Sequence, residues 1–101
     1  MSDLTAGVIQ EIHLERHLQD QKWGEQNHPD GTDKTFKDIA DEARVVADMS
    51  AKQNRLTWFK ILNEEVMEAF AEEDPKKLRA ELIQVAAVAV AWIEAIDRRN
   101  K

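Results

Sequence analysis

Cysteine is absent from this chain of 101 residues, and the turn-forming residues glycine and proline number only three and two. The absence of cysteine excludes disulfides, thiolate metal sites and cysteine nucleophiles. Because so few glycines and prolines leave little material for turns, we expect a small number of long secondary-structure elements.

Basic charge and long apolar runs are also scarce. The formal charge of −6 argues against nucleic acid as the main partner, because a phosphate backbone requires a basic surface. The longest apolar run, Val85 to Ile93, has nine residues, whereas a membrane span needs about 20. The start, Met1-Ser2-Asp3-Leu4, lacks the regions of a signal peptide. These features predict a soluble, cytoplasmic protein with no membrane partner.

The residues that are abundant are apolar (43%) and charged (34%), a balance typical of a soluble amphipathic helical protein. We expect residues 1–101 to form a single all-α domain, a four-helix bundle. The first helix covers residues 4–20, and Trp23-Gly24 ends it. The second runs to about residue 53, the third covers residues 57–73 and the fourth residues 75–98.

Capping signals mark three of the helix starts. Thr35-Phe36-Lys37-Asp38 has the form of a capping box, which predicts the start of the second helix. Thr57 is a candidate N-cap for the third helix. Asp74-Pro75 is an N-cap followed by proline at the first helical position, the favoured order at the start of a helix.

Apolar positions predict which helix faces are buried. In the second helix we expect the inner side to carry Phe36, Ile39, Ala43, Val46, Ala47 and Ser50. The fourth helix is apolar nearly all round, and such a helix must be buried nearly all round. Since four helices of this length can hardly achieve that alone, we expect oligomerisation, as a homodimer or homotetramer, to complete the bundle.

Two groups of acidic residues dominate the sequence: Glu64-Glu65-x-x-Glu68 and, after twelve residues, Glu81-x-x-Gln84. Residues three apart share a helix face, and a short hairpin makes the two helices antiparallel neighbours. Three carboxylates and one amide oxygen should therefore converge, and Mg²⁺ would neutralise them through oxygen ligands. The alternative is a solvated face with salt bridges to basic residues of the fourth helix. Those basic residues are Lys76, Lys77 and Arg79.

This pattern resembles the signature of the all-α nucleotide pyrophosphohydrolases, the superfamily of MazG-like proteins and dimeric dUTPases. The resemblance spans roughly residues 57–98, and the segment from Lys22-Trp23-Gly24 to Gly31 resembles small MazG-like proteins less specifically. It implies that Glu65, Glu68 and Glu81 hold Mg²⁺, with Mn²⁺ as an alternative metal. It also implies that Glu64 orients or activates the attacking water.

Gln84 departs from the family pattern, which has aspartate at this position. An amide oxygen can ligate Mg²⁺ but brings no charge, so metal affinity should be lower. The resemblance implies hydrolysis of a nucleoside triphosphate, a dNTP by preference, to the monophosphate and pyrophosphate. The alternative is a weak or inactive helical module that binds nucleotides or a protein partner.

Five further residues are candidates for substrate binding. Lys77 precedes Glu81 by one turn, and Arg44 and Lys52 lie on the second helix, so each is a candidate phosphate contact. Trp23 could stack on a base, and Asn27 could read base edges. For each basic residue, a solvated surface charge is the alternative.

Overall fold

The computed structural model describes residues 2–100, and within this range the chain forms helices and no strand. This confirms the all-α prediction. Among the described helices, none is both long enough and apolar enough to span a membrane. The elements are α1 (Asp3–Trp23), a 3₁₀ turn (Lys34–Phe36), α2 (Lys37–Lys52), α3 (Trp58–Phe70) and α4 (Pro75–Arg99).

Capping side chains set the starts of α3 and α4. The hydroxyl of Thr57 accepts a hydrogen bond from the backbone N–H of Lys60 at 3.2 Å. The carboxylate of Asp74 accepts one from the N–H of Lys76 at 3.4 Å, and Pro75 occupies the first helical position. Each bond satisfies an N–H that has no partner within the helix. Both predicted starts are confirmed.

The predicted capping box at Thr35-Phe36-Lys37-Asp38 is wrong. The capping residue is instead Asp33, two residues before Thr35. Its carboxylate accepts the N–H of Thr35 at 2.9 Å and caps the start of the 3₁₀ turn. An aspartate readily forms this bond to the backbone two residues on. The 3₁₀ turn then continues into α2, which begins without a side-chain cap.

The end of α3 also differs from the prediction, since the helix stops at Phe70 rather than near residue 73. In a longer helix the Phe70 carbonyl would accept the N–H of Asp74, but here it accepts the N–H of Asp33 at 2.9 Å. The backbone N–H of Asp74 instead donates to the side chain of Glu72 at 3.1 Å. The end of α1 at Trp23-Gly24 is as predicted, because Gly24 has a φ of 70°.

The chain divides into two compact units, Gly31–Ala89 and the residues on either side of that range. The unit boundary falls within the continuous helix α4, so the single domain over residues 1–101 stays a prediction. In the unit that contains α1, Val8 is buried and the Thr5 hydroxyl donates to Glu94 Oε1 at 2.7 Å.

In the unit Gly31–Ala89, α2 packs against α3 through a face of small side chains. This face consists of Ala40, Ala43, Ala47 and Ser50, all buried. Lys60 Nζ on α3 donates to the Ser50 hydroxyl at 2.9 Å and so satisfies a buried polar group. The inward positions predicted for Ala43, Ala47 and Ser50 are confirmed.

The inward positions predicted for Ile39 and Val46 are wrong for this chain, since they are 50% and 44% exposed. At 100° per residue they lie about 70° around the helix from the alanine face. They are therefore on its flank, where they line a groove beside Phe59.

The 3₁₀ turn is fastened to the end of α3. The rings of Phe36 and Phe70 pack edge to face with centroids 5.9 Å apart. The N–H of Asp33 donates to the Phe70 carbonyl at 2.9 Å, and the N–H of Lys34 donates to Glu73 Oε1 at 3.0 Å. These contacts hold the first turns of α2 beside the last turns of α3. They therefore place the polar side chains of these turns next to one another.

Candidate metal centre

Three carboxylates from two helices come together in the unit Gly31–Ala89. Glu65 and Glu68 lie one turn apart on α3, and Glu81 lies on α4. One oxygen of each carboxylate lies within 4.8 Å of the other two, and all three side chains are half-buried. The convergence expected from their spacing is therefore present. We call these three residues the carboxylate cluster.

Two oxygens of the carboxylate cluster have no hydrogen-bond donor. Glu65 Oε2 and Glu81 Oε2 are buried, and no group among residues 2–100 donates to either. A buried acceptor left without a partner costs roughly 1–3 kcal/mol, and more when it is charged. The alternative of salt bridges to the basic residues of α4 is not observed, since no ion pair in the described chain includes a cluster residue.

The donor set fits a hard divalent cation. It offers only carboxylate oxygens, which suit Mg²⁺ and Mn²⁺. Adjacent and opposite oxygens around an octahedral Mg²⁺ are about 3 Å and 4.2 Å apart, as its ~2.1 Å bonds require. A separation of at most 4.8 Å needs only small side-chain adjustments to reach that geometry.

Burial and mutual repulsion raise the pKa of the α3 carboxylates. For Glu65, burial is the larger cause, followed by the charges of Glu64 and Glu81. For Glu68, burial again comes first, followed by Glu65 and Glu81, while Arg44 acts in the opposite direction. Without a cation, the folded chain therefore favours protonation of these groups, and a bound divalent cation would reverse that preference.

Glu64 adjoins the same acidic region. Burial raises its pKa, as do the charges of Glu68 and Asp48, while Arg44 lowers it. A carboxylate with a raised pKa is a better proton acceptor near neutral pH, which suits the predicted role in activating water. Sequence reasoning missed Asp48. Its position one turn after Arg44 on α2, the helix that packs against α3, is the signal that could have revealed it.

A cavity of about 390 Å³ opens beside the carboxylate cluster, and we call it the acid pocket. Its lining combines carboxylates with two cationic side chains and two alanines. The lining residues are Lys37, Ala40, Asp41, Arg44, Glu68, Ala71, Glu72 and Glu81. Of the predicted substrate-binding residues, Arg44 lines this pocket, whereas Lys37 was not predicted.

No family model, curated protein or solved structure matches this chain. The resemblance to MazG-like pyrophosphohydrolases therefore rests on the motif residues alone.

The other predicted residues of this unit are exposed. Gln84 lies one turn after Glu81 on α4, with its side chain exposed to solvent. Lys77 and Lys52 are exposed as well, and the described residues that line the acid pocket do not include them. Their roles as metal ligand and phosphate contacts stay predictions.

Trp23 and Asn27 belong to the other compact unit. The Trp23 side chain is exposed, and Lys22 Nζ lies over its ring, 4.8 Å from the centroid. The side-chain amide of Asn27 donates to Glu25 Oε2 at 3.3 Å. Lys22 thus covers one face of the indole, and stacking of a base on Trp23 stays a prediction.

Proposed function

We propose that this protein is a Mg²⁺-dependent nucleotide pyrophosphohydrolase. It would cleave a nucleoside triphosphate, a dNTP by preference, to the monophosphate and pyrophosphate. The observation that carries the proposal is the carboxylate cluster, in which two buried oxygens have no donor and two members line a pocket that also contains cations. The resemblance of Glu64 to Gln84 to the MazG-like motif supports the same reaction.

In this proposal Glu65, Glu68 and Glu81 hold Mg²⁺ or Mn²⁺, which neutralises the polyphosphate when bound. Glu64 orients a water molecule and accepts its proton as the water oxygen bonds to the α-phosphorus. The bond from that phosphorus to the bridging oxygen breaks, and pyrophosphate leaves. Arg44 binds phosphate oxygens from the α2 side of the acid pocket.

The test is a panel of standard and modified nucleoside triphosphates incubated with the purified protein and Mg²⁺. We expect equimolar pyrophosphate and nucleoside monophosphate from at least one dNTP, detected by chromatography. Release of orthophosphate instead would indicate a different reaction. If no nucleotide is cleaved with either Mg²⁺ or Mn²⁺, the enzymatic proposal is wrong.

A second candidate function, a nucleotide-binding module without turnover, is favoured by Gln84, because a neutral amide replaces a carboxylate of the family motif. Calorimetry with Mg²⁺ and a non-hydrolysable nucleotide, beside the Gln84→Asp variant, separates the two. Binding without turnover in the wild type, with turnover gained in Gln84→Asp but not in Gln84→Asn, would establish the binding module.

We also propose that a second copy of the chain covers the exposed apolar surfaces, to give a homodimer or homotetramer. Leu82 and Ile83 are exposed on α4. Ile39, Val46 and Phe59 line a groove of about 220 Å³ on α2 and α3, and Phe59 is 66% exposed. Exposed apolar groups of this size around a groove are typical of protein interfaces.

Light scattering should therefore give a mass of two or four times the 11.6 kDa of one chain. Phe59→Glu should weaken association at least about tenfold, because it places a charge in a buried interface. Phe59→Leu, which keeps the site apolar, is the matched control and should remain associated. A monomeric wild type at micromolar concentration contradicts the proposal.

A further inference from the structure

Two of the three histidines of this chain lie one turn apart on α1. At 100° per residue, the side chains of His13 and His17 leave the helix about 40° apart and therefore share a face. Both residues are exposed, and the third histidine, His28, lies in the loop that follows α1. On a helix, two histidines with this spacing can bring their imidazole nitrogens to one metal ion.

The histidine pair lies on the side of α1 opposite its buried residue. Val8 is the only buried residue of α1, a helix that the structure describes throughout. His13 and His17 lie about 140° and 180° around the helix from Val8. Both rings are therefore on the solvent side of α1, where an ion can reach them.

Few contacts hold the two imidazole rings. Among residues 2–100, no side-chain hydrogen bond or ion pair involves His13. His17 Nε2 lies 3.3 Å from the side-chain amide nitrogen of Gln21. Since that nitrogen can only donate, the contact requires the lone pair of the neutral ring to be at Nε2. A metal ion binds the same lone pair, so it would replace one long, exposed hydrogen bond.

The positive charge beside the pair is balanced within the helix. Arg16 lies between the two histidines in sequence, and a free cation at this place would repel a metal ion. Its guanidinium donates to Asp20 Oδ1 at 2.6 Å and to Gln19 Oε1 at 2.7 Å, on the next turn of α1. The Asp20 carboxylate therefore reduces the repulsion that an ion at the histidine pair would meet.

We propose that His13 and His17 chelate a divalent transition metal ion, with Cu²⁺ bound more tightly than Ni²⁺ or Zn²⁺. Imidazole nitrogen suits these ions, whereas Mg²⁺ takes oxygen ligands, so the histidine pair and the carboxylate cluster bind different classes of cation. Water completes the coordination, because the carboxylate cluster is the only group of three or more such ligands among residues 2–100. The pair lies in the other compact unit and does not depend on the proposed function.

Titration of the full chain with Cu²⁺ in saturating Mg²⁺, followed by electron paramagnetic resonance, tests the site. Mg²⁺ occupies the oxygen ligands, and hyperfine coupling to nitrogen identifies imidazole at the copper. His13→Gln and His17→Gln should each weaken Cu²⁺ binding at least about tenfold, since loss of even an outer-shell partner costs about 10–100-fold. His28→Gln is the matched control, because it removes the histidine outside the pair and should leave the affinity unchanged.

Hydrogen exchange gives a second readout that is specific to chelation across a helical turn. An ion held by both rings stabilises α1, because the unfolded segment does not keep the two rings together. Zn²⁺ added in saturating Mg²⁺ should therefore slow amide exchange in α1 several-fold in the wild type. In His17→Gln the same addition should have little effect, and exchange in α3 serves as the internal reference.

Several results would overturn the histidine site. Equal Cu²⁺ affinity in the wild type and in either His13→Gln or His17→Gln would show that the two rings do not share one ion. Unchanged exchange in α1 would show the same. An equal loss of affinity in His28→Gln would place the ion elsewhere. Circular dichroism verifies the helix content of each variant, and the exposed positions of both histidines make a folding defect a minor concern.

Discussion

Glu68→Gln is expected to lower pyrophosphate release at least about a hundredfold, and Glu65→Gln should do the same, because catalysis through a bound metal contributes several kcal/mol. Glutamine keeps the size of the side chain and removes the charge that holds the cation. Initial rates at saturating nucleotide and Mg²⁺, with metal affinity measured by calorimetry, give the comparison. Glu42→Gln, an exposed acid on α2 outside the carboxylate cluster, is the matched control.

Glu65→Gln should raise the thermal stability of the metal-free protein, although it lowers activity. In metal-free protein, Glu65→Gln removes a charge that burial and the neighbouring Glu64 and Glu81 disfavour. The melting temperature should therefore rise by a few degrees while turnover is lost. A higher melting temperature together with lost turnover would show that the variant lacks a metal ligand and keeps its fold. Full activity in either Glu65→Gln or Glu68→Gln would place the reaction elsewhere in the molecule.

Local sequence signals predicted the framework of this site well. The caps at Thr57 and Asp74-Pro75 fix where α3 and α4 begin, and the spacing of three residues places Glu65 and Glu68 on one face. A short connection between antiparallel helices then brings Glu81 alongside them. Each of these steps depends only on residues close in sequence, which is why they could be predicted.

Features that depend on tertiary contacts could not be predicted. Periodicity shows which residues of α2 share a face, but the rotation of that face is set by partners on other elements. The Lys60–Ser50 hydrogen bond and the Phe36–Phe70 ring contact fix that rotation. They turn Ile39 to the flank and place Lys37 and Arg44 along the acid pocket.

Mg²⁺ should raise the melting temperature of the wild type more near pH 7 than near pH 5. A cation at ten times its dissociation constant adds about 1.4 kcal/mol to the free energy of unfolding. For a domain of this size that corresponds to roughly 6–11 °C. The fluorescence of the three tryptophans is a convenient probe of melting.

The sign of the pH dependence follows from the raised pKa values of Glu64, Glu65 and Glu68. Their usual value is 4.5, so above that pH the folded, metal-free chain holds more protons than the unfolded chain. The stability contributed by these groups is present at low pH and is lost as the pH rises through their folded pKa values. Metal-free protein should therefore lose stability from this source as the pH rises above about 4.5.

Proton and cation compete for the same oxygens, so Mg²⁺ should stabilise most where the protons have left. Glu65→Gln should largely abolish the Mg²⁺-dependent rise near neutral pH, whereas Glu42→Gln should retain it. Sodium chloride at matched ionic strength controls for screening of surface charge. An equal Mg²⁺ effect at both pH values, or in wild type and Glu65→Gln, would mean that the cation acts on the general surface charge. A pH-dependent effect that requires Glu65 would instead show that the cation binds at the buried oxygens of Glu65 and Glu81, which have no donor from the described chain.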